Sequence, residues 1–180
     1  AEIPVAERPE IDRWILSELN SLVRDVTASL EDYDPTPAAR RIDAFVNENL
    51  SNWYVRLNRK RFWAGEMNAD KLSAYQTLFE CLLTTSKLMA PIAPYYADRL
   101  YRDLTEQLNE KAESVHLDHF PTADESKICK SLEIQMGLAQ KVTSMVLSLR
   151  KKERIIVRHP LQCISIPMND AAMKANIEAV

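Results

Sequence analysis

The chain has 180 residues, is 46% hydrophobic and 27% charged, and carries a formal net charge of −3. That composition excludes a disordered chain, and no apolar run is long enough for a bilayer span. The negative total excludes a protein that is basic all over, so any nucleic-acid contact must use a local basic stripe. Only 2 glycines occur. A turn-rich all-β fold or a Gly-rich phosphate loop would need more, so long helices are expected.

The first helix is predicted to begin near Pro9. Proline suits the first helical position, and Glu10 and Asp12 suit the positive helix N-terminus. Ile11, Ile15, Leu19, Leu22, Val26 and Leu30 form its apolar face. Pro35 and Pro37 stop it. A second helix is expected from Thr36 as N-cap to Trp63, with Ile42, Val46, Leu50, Trp53 and Leu57 inward and Gly65 as the stop. The third starts near Asn68 and carries Leu72, Tyr75, Phe79, Leu82, Ser86 and Met89. Pro91 and Pro94 end or kink it. A fourth carries Tyr95, Tyr96, Leu100 and Leu104. Val115-His116-Leu117 reads as a short extended piece closed by Pro121. A fifth helix is expected over 124–153, with Ile128, Leu132, Met136, Ala139, Val146 and Leu149 inward. Then 155–157 and 163–166 read as strands around Pro160, and a last helix begins near Asp170. The expected fold is mainly α: a bundle of about five helices over 1–154, then the start of a small α/β region over 155–180.

Three cysteines stand far apart, at Cys81, Cys129 and Cys163. Without a C-x-x-C, no zinc site is expected, and the odd count fits a reducing compartment. Residues 1–10 do not read as a signal peptide, so a cytoplasmic location is expected. His116 and His119 form an H-x-x-H with no third ligand nearby in sequence, and no metal is assigned to them. No activated-nucleophile arrangement is legible, so no catalytic residue is assigned.

The informative segment is 52–63. At about 100° per residue, Asn49, Asn52, Arg56, Arg59 and Trp63 share one stripe beside the apolar one. Between 40 and 63 the cations Arg40, Arg41, Arg56, Arg59, Lys60 and Arg61 face only the anions Asp43 and Glu48. Arginines pair with phosphates and stack on bases, asparagine amides read base edges, and Trp63 offers a stacking face, which suits single-stranded RNA. A solvated basic face at a helix C-terminus is the competing reading, since cations there also stabilise the helix dipole. Trp53 reads as core; Tyr54 reads either way. A second cluster, Arg150, Lys151, Lys152, Arg154 and Arg158, suits either phosphate contact or a helix-end cap.

Ile11-Asp12-Arg13-Trp14-Ile15-Leu16-Ser17, Asn52-Trp53-Tyr54-Val55-Arg56 with Asn58-Arg59-Lys60-Arg61-Phe62-Trp63, and Leu88-Met89-Ala90-Pro91-Ile92-Ala93-Pro94, in this order, resemble isoleucyl-tRNA synthetases. Ser114-Val115-His116-Leu117 and Val157-Arg158-His159-Pro160-Leu161 also fit. The form at 52–63 resembles the isoleucine enzyme more than its valine and leucine relatives, and the eukaryote-like branch that also occurs in bacteria. The resemblance implies an anticodon-binding-type helical bundle from a class I synthetase that activates isoleucine with ATP and Mg and esterifies it to tRNA. The H-I-G-H and K-M-S-K-S catalytic motifs do not occur here, so ATP belongs to a catalytic domain outside this chain, and the chain itself is expected to hold no cofactor. The implied partners are isoleucine tRNA and the catalytic and C-terminal domains of the same polypeptide, with no DNA and no membrane. Asn52, Arg56, Arg59, Lys60, Arg61 and Trp63 form the expected RNA-facing set, with Arg150, Lys151 and Lys152 as secondary phosphate contacts. The alternatives are the equivalent valyl domain and a helical protein-interaction module without RNA binding.

Overall fold

Pro9 stands just before the first helix, α1 (Glu10–Glu31), as its N-cap rather than its first residue, and Glu10 and Asp12 give the acidic first turn expected. The computed structural model describes residues 2–63, 65–108, 112–167 and 171–178, and no strand occurs among them. The chain is mainly α. It divides into two compact units, Ala1–Ile128 and Cys129–Val180. The change of sequence period at 154/155 falls inside the second.

In the first unit α1 is the central element. Trp14, Ile15, Leu16, Leu19, Val23 and Val26 are all buried, so apolar residues face inward well beyond a single stripe. Such a helix needs neighbours on several sides. It has them in α2 (Pro35–Ala44), the segment Phe45–Val55 and α4 (Ala69–Met89). The end of α1 closes with Tyr33 in the left-handed region (φ 57°). Asp34 N–H donates to the Ser29 carbonyl (2.9 Å) and Tyr33 N–H to that of Leu30 (3.1 Å), the paired bonds of a Schellman cap. Glycine usually fills that position. Here an exposed tyrosine does.

The second helix starts earlier than Thr36. Asp34 is its N-cap, accepting from Thr36 N–H at 3.1 Å, and Pro35 takes the first turn. Aspartate just before a proline combines a stronger cap with a preset φ. The helical path then runs through Phe45–Val55, which is π-helical with i→i+5 bonds, to α3 (Arg59–Trp63). Phe45, Leu50, Tyr54 and Asn58 are buried, while Leu57 is 57% exposed and Trp53 half-buried. A π turn holds more residues than an α turn. Leu50 is inward as expected, and after it the inward positions fall one residue beyond the α-helical expectation: Tyr54 replaces Trp53, and Asn58 replaces Leu57.

The helix expected to start near Asn68 does so as α4, and Asn68 caps it, accepting from Lys71 N–H at 2.8 Å. The buried face of α4 is not the large apolar one. Ser73, Ala74, Thr77, Cys81, Thr85 and Ser86 are buried, with Leu88 near the C-terminal end, whereas Leu72, Phe79 and Leu82 are half-buried and Tyr75 is exposed. Small side chains let α4 lie close to α1, and the larger ones flank the seam. Next, α5 (Pro94–Thr105) turns Ala97 and Tyr101 inward and leaves Tyr95 and Tyr96 exposed. Val115–Leu117 is a 3-10 turn rather than an extended piece, because Ser114 caps it and Asp98 accepts from both Ser114 Oγ and Val115 N–H. Another 3-10 turn, Glu125–Lys127, stands where the fifth helix was expected to start. Asn20 Oδ1 on α1 accepts Asp124 N–H at 2.9 Å.

In the second unit, α6 (Lys130–Lys152) packs with α7 (Ala171–Glu178). It ends like α1, with Arg154 left-handed (φ 54°) and Ile155 N–H donating to the Arg150 carbonyl at 2.8 Å. The strands expected at 155–157 and 163–166 do not form, so the α/β extension carries no sheet among the described residues. Arg150 Nη1 binds the carbonyls of Ile156, Val157 and His159, at 3.0, 3.4 and 2.9 Å. A ladder would have needed those acceptors.

Candidate nucleic-acid interface

The site is built on a buried carboxylate. Asp12, in the first turn of α1, is fully buried. Its Oδ1 accepts from Tyr54 Oη (2.9 Å) and Arg61 Nη1 (2.7 Å). Its Oδ2 accepts from Arg61 Nη2 (2.9 Å) and Ser73 Oγ (2.6 Å). A buried carboxylate is tolerable only when its lone pairs are met in this way. Burial first, and the Asp12 charge second, push the Tyr54 phenol up, so it stays a donor. The hydrogen bonds to Asp12 likewise hold the Arg61 guanidinium above its usual range. Arg61 also pairs with Asp70 at 2.9 Å and donates to Asn58 Oδ1 at 2.9 Å, while Asn58 Nδ2 donates to the Tyr54 carbonyl.

Tyr54, Asn58 and Arg61 therefore form the inward edge of one helical stretch. Its outward edge is Asn52, Arg56, Arg59, Lys60 and Trp63, all exposed, with Trp63 at 81%. Of the expected stripe, Asn52, Arg56, Arg59 and Trp63 are thus exposed and Asn49 is half-buried; of the expected RNA-facing residues on this stretch, one turns away. Arg61, expected to face RNA, turns its planar fork onto Asp12 instead and keeps only 15% of its side chain accessible. The end of the stretch is braced by edge-to-face contacts of Phe62 with Tyr54 (6.2 Å) and with Tyr75 (5.4 Å). Gly65, with φ 41°, follows.

The second cluster divides. Lys151 and Lys152 are exposed at the C-terminal end of α6, where cations also suit the helix dipole. Arg150 is half-buried and committed to the three carbonyls named above, so it serves as a cap. His116 and His119 flank Asp118, which accepts from Tyr101 Oη (2.7 Å) and pairs with Lys87 (2.8 Å). Those bonds, Lys87 foremost, lower the Asp118 carboxyl to about 2. Among the described residues, no group of three or more His, Cys, Asp or Glu could hold a metal ion. None of the helices described is long and apolar enough to cross a membrane.

Sequence reasoning missed Asp12 as a hub. An acid two residues into a helix satisfies the dipole rule and invites no further question. Its place beside the inward residues Ile11 and Ile15 was the one available signal.

Residues 12–165 match the family described as the anticodon-binding domain of tRNA ligase, and the chain belongs to that family. It is similar to a segment of proteins named isoleucine–tRNA ligase. It is 61% identical to that of Bacteroides thetaiotaomicron over the whole chain and 60% identical to that of Porphyromonas gingivalis over 99% of it. It is 41% identical to that of Thermus thermophilus over 91%. The chain spans 15–16% of the length of these relatives.

Proposed function

We propose that this chain is the anticodon stem-loop binding region of an isoleucine–tRNA ligase, and that it binds isoleucine tRNA through the outward face of 52–63. The observation that carries the reading is the pairing of two edges on one helical stretch. Arg56, Arg59, Lys60 and Trp63 are exposed together, while Tyr54, Asn58 and Arg61 clamp the same stretch to the core. Arg56, Arg59 and Lys60 meet phosphates, Trp63 stacks on an unpaired base, and the Asn52 amide reads a base edge. Lys151 and Lys152 add phosphate contacts on the second unit.

Binding orients the tRNA, while isoleucine activation with ATP and Mg belongs to a catalytic domain elsewhere in the polypeptide. No residue of this chain is assigned to those groups. That activity, the contact with neighbouring domains of the same polypeptide and a cytoplasmic setting rest on the family alone. The relatives named above are bacterial and lend the eukaryote-like branch no support.

The test is fluorescence anisotropy of the full-length protein with isoleucine and valine tRNA transcripts at two salt concentrations. Arg56→Ala is expected to weaken isoleucine tRNA binding and to lower the salt slope by about 1. Trp63→Ala is expected to cost about 1–3 kcal/mol of affinity while leaving the fold intact. Unchanged binding in both variants refutes the interface.

A further inference from the structure

Arg56, Arg59, Lys60 and Trp63 reach solvent together only if their helix keeps one rotational phase. That phase is not inherited from α2, because the π turns of Phe45–Val55 intervene and shift the register by one residue. It must be set from the far side. The contacts that set it converge on one group. Tyr54 Oη and both Arg61 terminal nitrogens end on Asp12, while Asn58 donates to the Tyr54 carbonyl and accepts from Arg61 Nη1. These three residues lie at helical spacing on the edge opposite the exposed cations. Ser73 Oγ holds the other side of the same carboxylate from α4, so Asp12 cannot follow the helix if it rolls. Arg61 Nε, by contrast, is buried and lacks a partner. The guanidinium thus leaves one donor unmet in order to keep its two-pronged bond to Asp12.

We propose that Asp12 is a positioning residue for nucleic-acid binding: by fixing Tyr54 and Arg61, it holds Arg56, Arg59, Lys60 and Trp63 in one outward face. The inference rests on the RNA-binding reading above. Asp12 itself touches no RNA.

The experiment is a double-mutant cycle in the full-length protein between Asp12→Asn and Arg56→Ala, read as isoleucine tRNA Kd over a range of salt. Asparagine keeps the shape of Asp12 but loses the charge and the second acceptor oxygen. A positioning role predicts that Asp12→Asn weakens binding at least about tenfold and lowers the salt slope by about 2–3, the contribution of the three cations it aligns. It further predicts that adding Arg56→Ala then changes Kd by less than about twofold, because that contact is already lost. Multiplying, independent effects in folded protein overturn the inference. If Asp12→Asn does not fold, Tyr54→Phe carries the same cycle, since it removes one hydroxyl and keeps the ring. A coupled loss again supports the proposal, and an uncoupled or absent loss overturns it. Arg56→Ala without effect in the otherwise native protein refutes the RNA face itself, and the inference with it. An effective Arg56→Ala beside an additive cycle refutes the inference alone.

Discussion

Replacing Arg61 with methionine tests the hub as a structural element. The substitution keeps most of the side-chain volume and removes the guanidinium. Asp12, fully buried, then keeps Tyr54 and Ser73 as donors but loses the cation paired with it. Breaking a buried ion pair from one side costs about 3–5 kcal/mol. The lower end applies here, because two neutral donors remain and 15% of the Arg61 side chain is accessible, so water screens part of the pair. A loss of about 3 kcal/mol corresponds to a melting point lower by about 10 °C in a domain of this size. Urea unfolding followed by helical circular dichroism measures it. The double variant Asp12→Leu/Arg61→Met removes both charges, and apolar replacement of a whole buried pair is often neutral. It should recover most of the loss. A single-variant cost below about 1 kcal/mol would put the bridge in the class of exposed ion pairs, and the reasoning from burial would fail. A double variant as unstable as the single would show that an uncompensated charge is not the cause.

Two further outcomes follow from local geometry. Tyr33→Gly removes a side chain from a left-handed cap position that disfavours it, and should stabilise the chain by about 1 kcal/mol in urea unfolding; a destabilised variant would contradict the cap. Asp118 has a folded-state pKa of about 2, below the ordinary carboxylate value, owing to Lys87 and Tyr101. Its contribution is therefore complete above that ordinary value and is lost as the pH falls from about 4 towards 2, worth up to about 2 kcal/mol. Asp118→Asn should flatten the acid limb of the stability profile, and an unchanged limb would refute the assignment.

Several features were legible because their causes are local. Pro9 and Asn68 mark helix starts through a fixed φ angle and a side-chain cap, which need no partner elsewhere in the chain, whereas Pro94, read as a stop, opens α5. The exposure of Arg56, Arg59 and Trp63 was also readable, since a stripe of cations finds no home in a core. The inward side of the same segment was not. A wheel drawn at α-helical spacing places Trp53 and Leu57 inward. In the structure Tyr54 turns inward instead, where it reaches Asp12 and the Ala74 carbonyl, a bond partner 42 residues away and another 20 away. The α4 seam reads wrongly for a similar reason: hydrophobicity ranks leucine over serine, whereas close approach to α1 favours the smaller side chain. Several helix ends, the mainly α class and the exposure of most of the basic stripe were thus determined by the sequence itself, through interactions within a turn or two. Helix phase, the burial of Asp12 with Arg61 and the loss of strands after Arg154 were decided only in the tertiary structure. The first two depend on hydrogen-bond partners far away in sequence, and the last on Arg150 taking carbonyls six to nine residues further on.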